Sequence, residues 1–163
     1  MRKETKNLFP GNAMPNDPAI DILPLHYSDA AKLAPLIANY TQALKRGAPR
    51  QPDQFYAEQL LQDRSAEFLG AYIDGELVGF VTYFDLPDPI SGKRAGQADH
   101  IYVHHEHRGK GIAKALVDVL AEQGESLGWQ KLVLNAPKSS EIGNKVFSEL
   151  APPAEHASYE LKF

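Results

Sequence analysis

The chain of 163 residues contains no cysteine, and this absence removes several kinds of chemistry. Disulfide cross-links and cysteine-ligated metal sites are excluded, because both require the thiol group. A cysteine nucleophile that carries a covalent intermediate is excluded for the same reason. Any covalent relay would have to be a serine, a threonine or a lysine, and direct reaction between two bound substrates is the simpler alternative.

Long hydrophobic runs and strong net charge are also missing. No apolar run approaches the ~20 residues that a membrane-spanning helix needs, so we expect no membrane partner. The basic start Met1–Lys6 is not followed by an apolar segment, which argues against a signal peptide and predicts a cytoplasmic protein by default. The net charge of −4 is mild, argues against a nucleic-acid partner and is compatible with a cationic small substrate.

What the chain does contain is the composition of a globular protein. Hydrophobic residues make up 43% and charged residues 23%, and the length suffices for one hydrophobic core. Residues 1–19 carry Asn, Pro and Gly with little apolar periodicity, which predicts a flexible N-terminal tail. Residues 20–163 show neither an internal repeat nor a second domain boundary, so we predict a single domain there.

Apolar periodicity and turn residues predict the order of the secondary structure. Strands are predicted at 20–25, 67–73, 76–84, 97–104, 131–135 and 158–163, and helices at 29–44, 110–127 and 140–150, with one more starting at Asp53. Asp74-Gly75 marks a tight hairpin, whereas 46–52 and 86–97 are expected to be loops because they are rich in Pro and Gly.

The predicted helices each carry an apolar stripe that is expected to face the core. The residues on these stripes are Leu33, Leu36, Ile37, Tyr40 and Leu44, then Phe55, Leu60 and Leu61, and then Ile112, Leu116, Val119, Leu120 and Leu127. The order β-α-α-β-β-β-α-β-α-β describes an α/β fold with a central mixed sheet and helices on both faces.

The glycine-rich run Arg108–Ala113 lies between a predicted strand and a predicted helix. The first N–H groups of a helix have no intrahelical partner and point outward at the positive end of its dipole. Gly109 and Gly111 let this backbone approach a phosphate, while Arg108 and Lys110 add positive charge. The run therefore predicts a binding site for a phosphorylated ligand.

Two phosphate-binding motifs match this run poorly. A Walker A loop is excluded, because Lys110 is followed by Gly111 and not by a hydroxyl residue that could bind magnesium. A dinucleotide fingerprint would need a third glycine where Lys114 stands and an acidic residue where the next strand ends in Asn135. A dinucleotide-binding domain stays open as a weaker alternative.

The run and the strand before it resemble the acetyl-CoA motif of the GNAT family of N-acetyltransferases. The family pattern Gln/Arg-x-x-Gly-x-Gly/Ala is matched by Arg108, Gly111 and Ala113. In the order of its elements the resemblance extends from about Ile20 to Phe163. It implies a GNAT-type acyl-CoA N-acyltransferase fold and an enzyme that transfers acetyl from acetyl-CoA to a primary amine of a small cationic acceptor, by direct attack in a ternary complex.

The resemblance also implies roles for individual residues. The backbone of Ile101, Tyr102 and Val103 would pair with the pantetheine arm as an added strand, and an N–H near Val103 would stabilise the oxyanion. The residues implied to hold the pyrophosphate are Arg108, Gly109, Lys110, Gly111, Ile112, Ala113 and Lys114. Asn135 would touch the pantetheine arm, or it would satisfy the turn at Pro137 instead. A homodimer is compatible with the resemblance.

The resemblance implies that Asp99 and His100 are the catalytic residues, because they precede Ile101 where related acetyltransferases of diamines often carry Glu-Asp. A base is needed, since an alkylammonium with a pKa of ~10 must lose a proton before it can attack. Neighbouring strand residues face opposite sides, so only one of the two is expected to point at the substrate. His100 would accept the proton directly or through water, and Asp99 would bind the ammonium or relay its proton. The alternative is that both residues serve only the edge of the sheet.

Phe147 stands where the family commonly has a tyrosine that protonates the leaving thiolate, and Ser140 and Gly143 replace the expected Asn and Ala. Three interpretations follow. The thiolate takes a proton from water; Tyr102, Tyr159 or Ser148 substitutes for the tyrosine; or the chain is an acyl-CoA-binding regulatory module with little catalysis.

Two further sets of residues have side chains that bind cations. The run His104–His107 contains metal-ligand side chains, but adjacent residues in a turn diverge, so no metal is expected. The side chains that could hold a cationic acceptor by charge or by an aromatic face are Asp85, Asp88, Tyr40, Tyr56 and Phe84.

Overall fold

A computed structural model describes residues 18–44 and 51–163 of the chain. The strands are β1 (Ile20–Pro24), β2 (Glu67–Ile73), β3 (Glu76–Asp88), β4 (Lys93–Val103) and β5 (Trp129–Leu134). The helices are α1 (Ala30–Ala43), α2 (Gln54–Gln62), α3 (Ile112–Leu127) and α4 (Glu141–Leu150), with short 3-10 turns at Tyr27–Asp29 and His105–His107. The predicted tail falls almost wholly outside the described residues, as does most of the predicted loop 46–52.

The strands form one mixed sheet in the order β1-β2-β3-β4-β5. Neighbours from β1 to β4 are antiparallel, and β4 and β5 are parallel. Within the described ranges, no helix is both long enough and apolar enough to cross a bilayer. The predicted α/β class with a mixed sheet is confirmed.

Two hydrophobic cores lie on opposite faces of this sheet. Helix α3 and Phe147 of α4 cover one face, where Ile101 and Val103 point, and helix α1 covers the other face, where Tyr102 points. This alternation along β4 is the period of two expected for a strand that is buried on both sides. The prediction of helices on both faces is therefore confirmed.

Local signals explain where several elements begin. The Asp53 carboxylate caps α2 by accepting from the Tyr56 amide at 2.9 Å, and the Ser140 hydroxyl caps α4 by accepting from the Gly143 amide at 3.2 Å. Asp74 and Gly75 have φ values of 50° and 79°, as a tight turn between β2 and β3 requires. The predicted hairpin is confirmed.

The predicted loop 86–97 is wrong, because β3 and β4 continue through it as an antiparallel ladder that reaches Asp88 opposite Lys93. Pro87 is tolerated there because β2 pairs with β3 only as far as Tyr83, which leaves one side of β3 as an edge. Gly92, with a φ of 68°, belongs to the turn that closes the hairpin.

Three other expectations are wrong. Phe55 is 69% exposed because it lies in the first turn of a short helix, and Leu127 is 46% exposed at the last residue of α3. Residues 158–163 form no strand, and all of them are exposed. Residues 151–163, which follow α4, contain neither helix nor strand.

Candidate functional site

The parallel strands β4 and β5 separate at their carboxyl ends. They pair as far as Ala98 opposite Leu134, and the Asn135 amide donates to the Ala98 carbonyl at 2.7 Å. Strand β5 then ends, whereas β4 continues to Val103. Along residues 101–103 one edge of β4 therefore has no neighbouring strand in the described part of the chain, and an extended ligand can approach its backbone groups.

A β-bulge at Asp99 marks the point of separation. Thr82 lies opposite His100 and Tyr83 lies opposite Ala98, so Asp99 is an extra residue in β4. A bulge bends its strand and increases the local twist, which turns β4 away from β5 beyond this point. It also directs the neighbouring Asp99 and His100 side chains to different surroundings.

The Asp99 carboxylate is held by two side-chain amides. Asn135 Nδ2 donates to it at 2.8 Å, and Gln97 Nε2 donates to its two oxygens at 3.0 and 3.2 Å. At the Pro137 turn it is Asn144 Nδ2, and not the Asn135 amide, that donates to the Pro137 carbonyl, at 2.9 Å. The predicted contact of Asn135 with the pantetheine arm stays a prediction.

The His100 ring is held by a tyrosine of helix α1. The Tyr40 hydroxyl lies 3.1 Å from His100 Nδ1, and the two rings meet edge to face at 5.7 Å. Tyr40 is buried and also contacts the rings of Phe80 and Tyr102. A hydroxyl on Nδ1 fixes the plane of the imidazole and hence the direction in which Nε2 points.

Sequence reasoning missed this pairing of Tyr40 with His100, and it missed Gln97 as a partner of Asp99. The sequence did contain a signal that Tyr40 has a polar partner. Tyr40 falls on the apolar stripe of its helix, and a buried tyrosine hydroxyl usually has a hydrogen-bond partner. The identity of that partner depends on the fold, since His100 is 60 positions away in sequence.

The glycine-rich run forms the turn between β4 and α3. Gly109 and Gly111 both have a φ of 76°, and a Cβ built on either would meet no other described atom within 4 Å. Backbone conformation rather than space therefore requires glycine here. Helix α3 begins at Ile112, and Gly111 caps it without a side-chain hydrogen bond, so the first amides of the helix are open to an anion.

A cavity of about 660 Å³ lies beside this turn, between the start of α3 and helix α4. Its basic lining residues are His107, Arg108, Lys114 and Lys145, while Glu141 and Glu149 bring negative charge to its α4 side. Lys114 pairs with Asp118 one turn along the same helix. The cavity thus combines open helix amides with side chains suited to a phosphorylated ligand.

Arg108 links the turn to the open edge of β4. Its Nε donates to the Val103 carbonyl at 3.1 Å, and its guanidinium lies 5.8 Å from the centre of the Tyr102 ring. Burial raises the pKa of the Tyr102 hydroxyl, although the nearby Arg108 opposes the rise. Tyr102 therefore keeps its proton at neutral pH.

A second cavity, of about 390 Å³, lies between the end of α1, the open part of β4 and the start of α4. Tyr40, Leu44, Ile101 and Tyr102 form its inner wall, and Ser139–Ile142 close it from the α4 side. It therefore adjoins both the Tyr40 side of the sheet and the open edge of β4.

Most of the side chains considered for holding a cation lie elsewhere. Asp85 accepts from Arg94 Nε at 2.7 Å and from Trp129 Nε1 at 2.8 Å, and the Arg94 hydrogen bond lowers the pKa of Asp85. Asp88 accepts from Ser91 at 3.0 Å and pairs with Lys131 at 3.4 Å. Both carboxylates thus stabilise the β3–β4 hairpin.

Tyr56 lines a different cavity, between α1 and α2, and Phe84 is half-buried on β3. Among the candidates considered for holding a cation, Tyr40 is therefore the side chain that lines the second cavity.

The position of α4 at which the family commonly has a tyrosine is apolar in this chain and packs into the core. Phe147 is 7% exposed and belongs to the α3 core. A Cβ on Gly143 would lie 2.9 Å from Ala136 Cβ and 3.0 Å from Ser140 Oγ, which explains why alanine does not fit there. Tyr159 is 95% exposed, and Ser148 Oγ donates to the Lys145 carbonyl at 2.9 Å.

The histidine run does not converge on one point. The rings of His104 and His105 lie 4.4 Å apart and those of His104 and His107 lie 6.1 Å apart. Among the residues that the structure describes, no three His, Asp or Glu side chains form a group that could hold a metal. His107 Nδ1 is buried without a hydrogen-bond partner in the described structure.

Comparison with known proteins identifies the family. The family model described as Acetyltransferase (GNAT) family matches residues 35–146. A crystal structure of a ribosomal-protein-alanine N-acetyltransferase from Brucella melitensis biovar Abortus 2308 is 59% identical, covers 89% of this chain and 99% of that chain, and has a TM-score of 0.83.

Two other comparisons are more distant. N-acetyltransferase 8 of Rattus norvegicus is 38% identical over 74 residues, which are 45% of this chain and 33% of the relative's length. An aminoglycoside N-acetyltransferase in complex with CoA shares the fold, with a TM-score of 0.70 at 20% identity over 92% of this chain and 99% of that chain. The family match over most of the chain and the Brucella structure agree with the turn and the separated strands: the chain belongs to the GNAT family of acetyltransferases.

Proposed function

We propose that the protein transfers the acetyl group of acetyl-CoA to a primary amine of a small cationic acceptor, by direct attack in a ternary complex. The observation that carries this proposal is the separation of β4 from β5 after Ala98, with the open end of β4 at Val103 and the start of α3 lining one cavity. An extended thiol arm and a pyrophosphate need these two features together, because one pairs with a strand edge and the other with helix amides.

The residues around the turn fit this donor. The backbone of Ile101–Val103 would bind the pantetheine arm, and the amides of Gly109–Lys114 would bind the pyrophosphate. Lys145, which lines the same cavity from α4, adds positive charge. The thioester would then lie where β4 borders the second cavity, close to the His100 side of the strand.

His100 is the group that we assign to take the proton from the acceptor ammonium. Its orientation by Tyr40 directs one nitrogen away from α1, and an imidazole accepts a proton near neutral pH. The Asp99 carboxylate, held by Asn135 and Gln97 in different surroundings, would act on the ammonium only by relaying its proton through water. The neutral amine then attacks the thioester carbonyl, its nitrogen loses a second proton to water, and the C–S bond breaks as the tetrahedral intermediate collapses.

The departing thiolate takes its proton from water in this mechanism. Phe147 has no proton to donate, and Tyr102 holds its proton more tightly than an ordinary tyrosine. A thiol with a pKa of about 8.5 is a good enough leaving group for this step to proceed without a protein acid. A slower reaction, rather than no reaction, is the expected cost.

A protein N-terminal amine is a second candidate acceptor. The name of the Brucella relative, which is 59% identical, specifies alanine of a ribosomal protein. The α-amine of a peptide has a pKa of about 7.7–8.0, so it needs less help from a base than an alkylamine does. The two acceptor classes are therefore distinguishable by how strongly the rate depends on His100.

The experiment is CoA release from acetyl-CoA across diamines, polyamines, aminoglycosides, amino acids and short peptides that begin with alanine, with a control lacking acceptor. Turnover on a small cationic amine is expected. Turnover on the peptides alone would replace the proposed acceptor with the second candidate.

Thermal melting with acetyl-CoA and with NAD accompanies the panel. A ligand at 100 times its Kd stabilises the fold by about 2.7 kcal/mol, so binding is measurable without turnover. Stabilisation by acetyl-CoA with no turnover on any amine would support a regulatory module. Stabilisation by NAD and not by CoA would support a dinucleotide-binding domain.

A further inference from the structure

The loop between β5 and α4, residues 135–140, lies across the open part of β4. At the start of the loop, Asn135 Nδ2 donates to the Asp99 carboxylate at 2.8 Å. Just beyond its end, a Cβ built on Gly143 would lie 3.4 Å from Ile101 Cγ2, so the first turn of α4 packs against β4 two residues further along. The loop therefore passes beside the stretch of β4 at which we place the thioester.

The backbone of this loop is fixed from α4. Asn144 Nδ2 donates to the carbonyls of Pro137 and Ser140 at 2.9 and 2.7 Å, and it lies 3.3 Å from the Lys138 carbonyl. The Ser140 amide donates to the Pro137 carbonyl at 2.8 Å, which closes the loop as a turn. These bonds hold the Cα of Lys138 in place, while its flexible four-carbon side chain can still rotate.

Lys138 differs from the other described lysines in the cavity that it faces. It lines the second cavity together with Ile101 and Tyr102 of the open edge, and no other described lysine does so. Lys114 and Lys131 each pair with an aspartate, whereas no described carboxylate lies within ion-pair distance of the Lys138 ammonium. A primary amine of this chain thus lies in the cavity that borders the thioester.

A lysine side chain belongs to the same chemical class as the proposed acceptor, because it is a primary alkylamine. We propose that Lys138 is an acetylation site of this protein, and that its amine attacks the acetyl-CoA bound to the same chain when no acceptor is present. This modification rests on the proposed function, since it needs the same donor and the same base. It would be a second reaction of the same site, with the protein as its substrate.

The protons and bonds of this step balance as they do for a free amine. The Lys138 ammonium gives one proton to His100, and the neutral nitrogen attacks the thioester carbonyl. As the N–C bond forms, the nitrogen loses a second proton to water. The C–S bond then breaks and the thiolate takes a proton from water, so the products are acetyl-lysine, CoA and one released proton.

The attachment of Lys138 to the chain favours this reaction over capture of a dilute amine. Well-oriented intramolecular reactions have effective molarities of up to about 10⁵–10⁸ M, so partial alignment is enough for a measurable rate. A bound acceptor would occupy the second cavity and exclude the Lys138 side chain. Acetylation also removes the positive charge of Lys138 and leaves Arg108 and Glu141 as the described charged residues that line this cavity, which favours a cationic acceptor.

The test incubates the full chain with acetyl-CoA and without acceptor, and follows the intact mass. We expect the addition of one acetyl group, at a rate per chain that does not depend on protein concentration. Cleavage after glutamate gives the peptide Ser126–Glu141, which contains both Lys131 and Lys138. Fragmentation of this peptide compares two exposed lysines of the same molecule, and we expect the acetyl group on Lys138.

Three variants serve as controls. Lys138→Arg keeps the positive charge and should abolish the modification, whereas Lys131→Arg should leave its rate unchanged. His100→Gln should slow it by about 10²–10⁴-fold, because the proton acceptor is lost. Spontaneous acetylation of a surface lysine would not respond to this third change.

Three results would each overturn the inference. They are equal acetylation of Lys131 and Lys138, a rate per chain that rises with protein concentration, and a modification rate that His100→Gln leaves unchanged while it lowers turnover on a free amine. Melting with acetyl-CoA and the amine panel separate this failure from that of the proposed function. Stabilisation and turnover without acetylation of Lys138 would overturn the inference alone, whereas neither stabilisation nor turnover would overturn both.

Discussion

The two sides of the candidate site are built in different ways. The turn that we assign to the coenzyme is contiguous, and two glycines with a φ of 76° set its shape through the backbone. The acceptor side is assembled from Tyr40 on α1 and from Asp99, His100 and Asn135 on and after two strands. A backbone motif can be recognised in a sequence, whereas an assembled site acquires its geometry only when the fold brings distant side chains together.

The largest expected effect tests the acceptor side. His100→Gln should lower kcat by about 10²–10⁴-fold on an alkylamine, because the attacking ammonium loses its proton acceptor. Steady-state kinetics measure it, with His26→Gln as the control, since His26 is exposed beside β1. Turnover of the His100 variant within twofold of the parent would contradict the assignment.

The coenzyme side is tested by Gly111→Ala. A left-handed φ costs a residue with a Cβ about 1–2 kcal/mol, so acetyl-CoA should bind about tenfold more weakly if the turn relaxes. Gly75→Ala carries the same kind of strain in the β2–β3 hairpin, where φ is 79°. Calorimetry should show reduced stability for both variants and weakened binding for Gly111→Ala alone; equal affinities would refute the role of the turn.

Tyr40→Phe tests how the base is positioned, because it removes the hydroxyl that holds the His100 ring and leaves His100 itself in place. Loss of one hydrogen bond worth about 1 kcal/mol predicts a roughly fivefold fall in kcat/KM and a displaced acid limb in its pH profile. Tyr72→Phe removes a hydroxyl of the same core, which donates to Asp29 at 3.2 Å, and should leave the profile unchanged. Identical profiles for both variants would reduce Tyr40 to a packing residue.

Phe147→Tyr should leave turnover equal to that of the parent or raise it, since it restores a phenol where the family commonly has one. Phe68→Tyr is the control for adding a hydroxyl to a buried ring, on the opposite face of the sheet. A fall in kcat of about tenfold or more in the Phe147 variant alone would show that this position has another role.

The smallest effect on catalysis is expected from Asp85→Asn, because Asp85 stabilises the hairpin and lies away from the second cavity. The free energy of unfolding should fall by about 1 kcal/mol at neutral pH, with KM for the acceptor within twofold. The pKa of Asp85 is lowered from 3.8, so the carboxylate stabilises the fold above pH 3.8 and this benefit is lost as the pH falls below it. Denaturation at neutral pH and below pH 3.8 checks whether the difference in the free energy of unfolding between Asp85→Asn and the parent becomes smaller in acid.

Much of the fold could be predicted from the sequence where local signals dominate. Asp53 and Ser140 cap the helices that they precede, and Asp74-Gly75 closes its hairpin. The hairpin after Phe84 was missed because Pro and Gly usually interrupt strands, whereas here a free strand side tolerates Pro87 and a turn requires Gly92. In this region the pairing of β3 with β4, and not the local sequence, determines the secondary structure.

The candidate site also has one part that the sequence predicts and one part that depends on the fold. The turn at 108–113 was recognisable because the chemistry of a phosphate site lies in consecutive residues. The Tyr40 hydroxyl and the Gln97 amide could not be assigned, since their partners depend on how α1 packs on the sheet and on where the bulge falls. Alternation alone would also have placed Ala98 and His100 on one face of β4.

The bulge at Asp99 determines which side chains of β4 face each core. Ala98 and Ile101 both enter the α3 core while His100 faces Tyr40, and this pattern requires one residue between Ala98 and His100 that the ladder does not count. Deletion of that residue would leave Ala98 and His100 as ordinary strand neighbours on opposite faces. Position 99 thus lies outside the alternation that builds the two cores, while its bulge turns β4 away from β5.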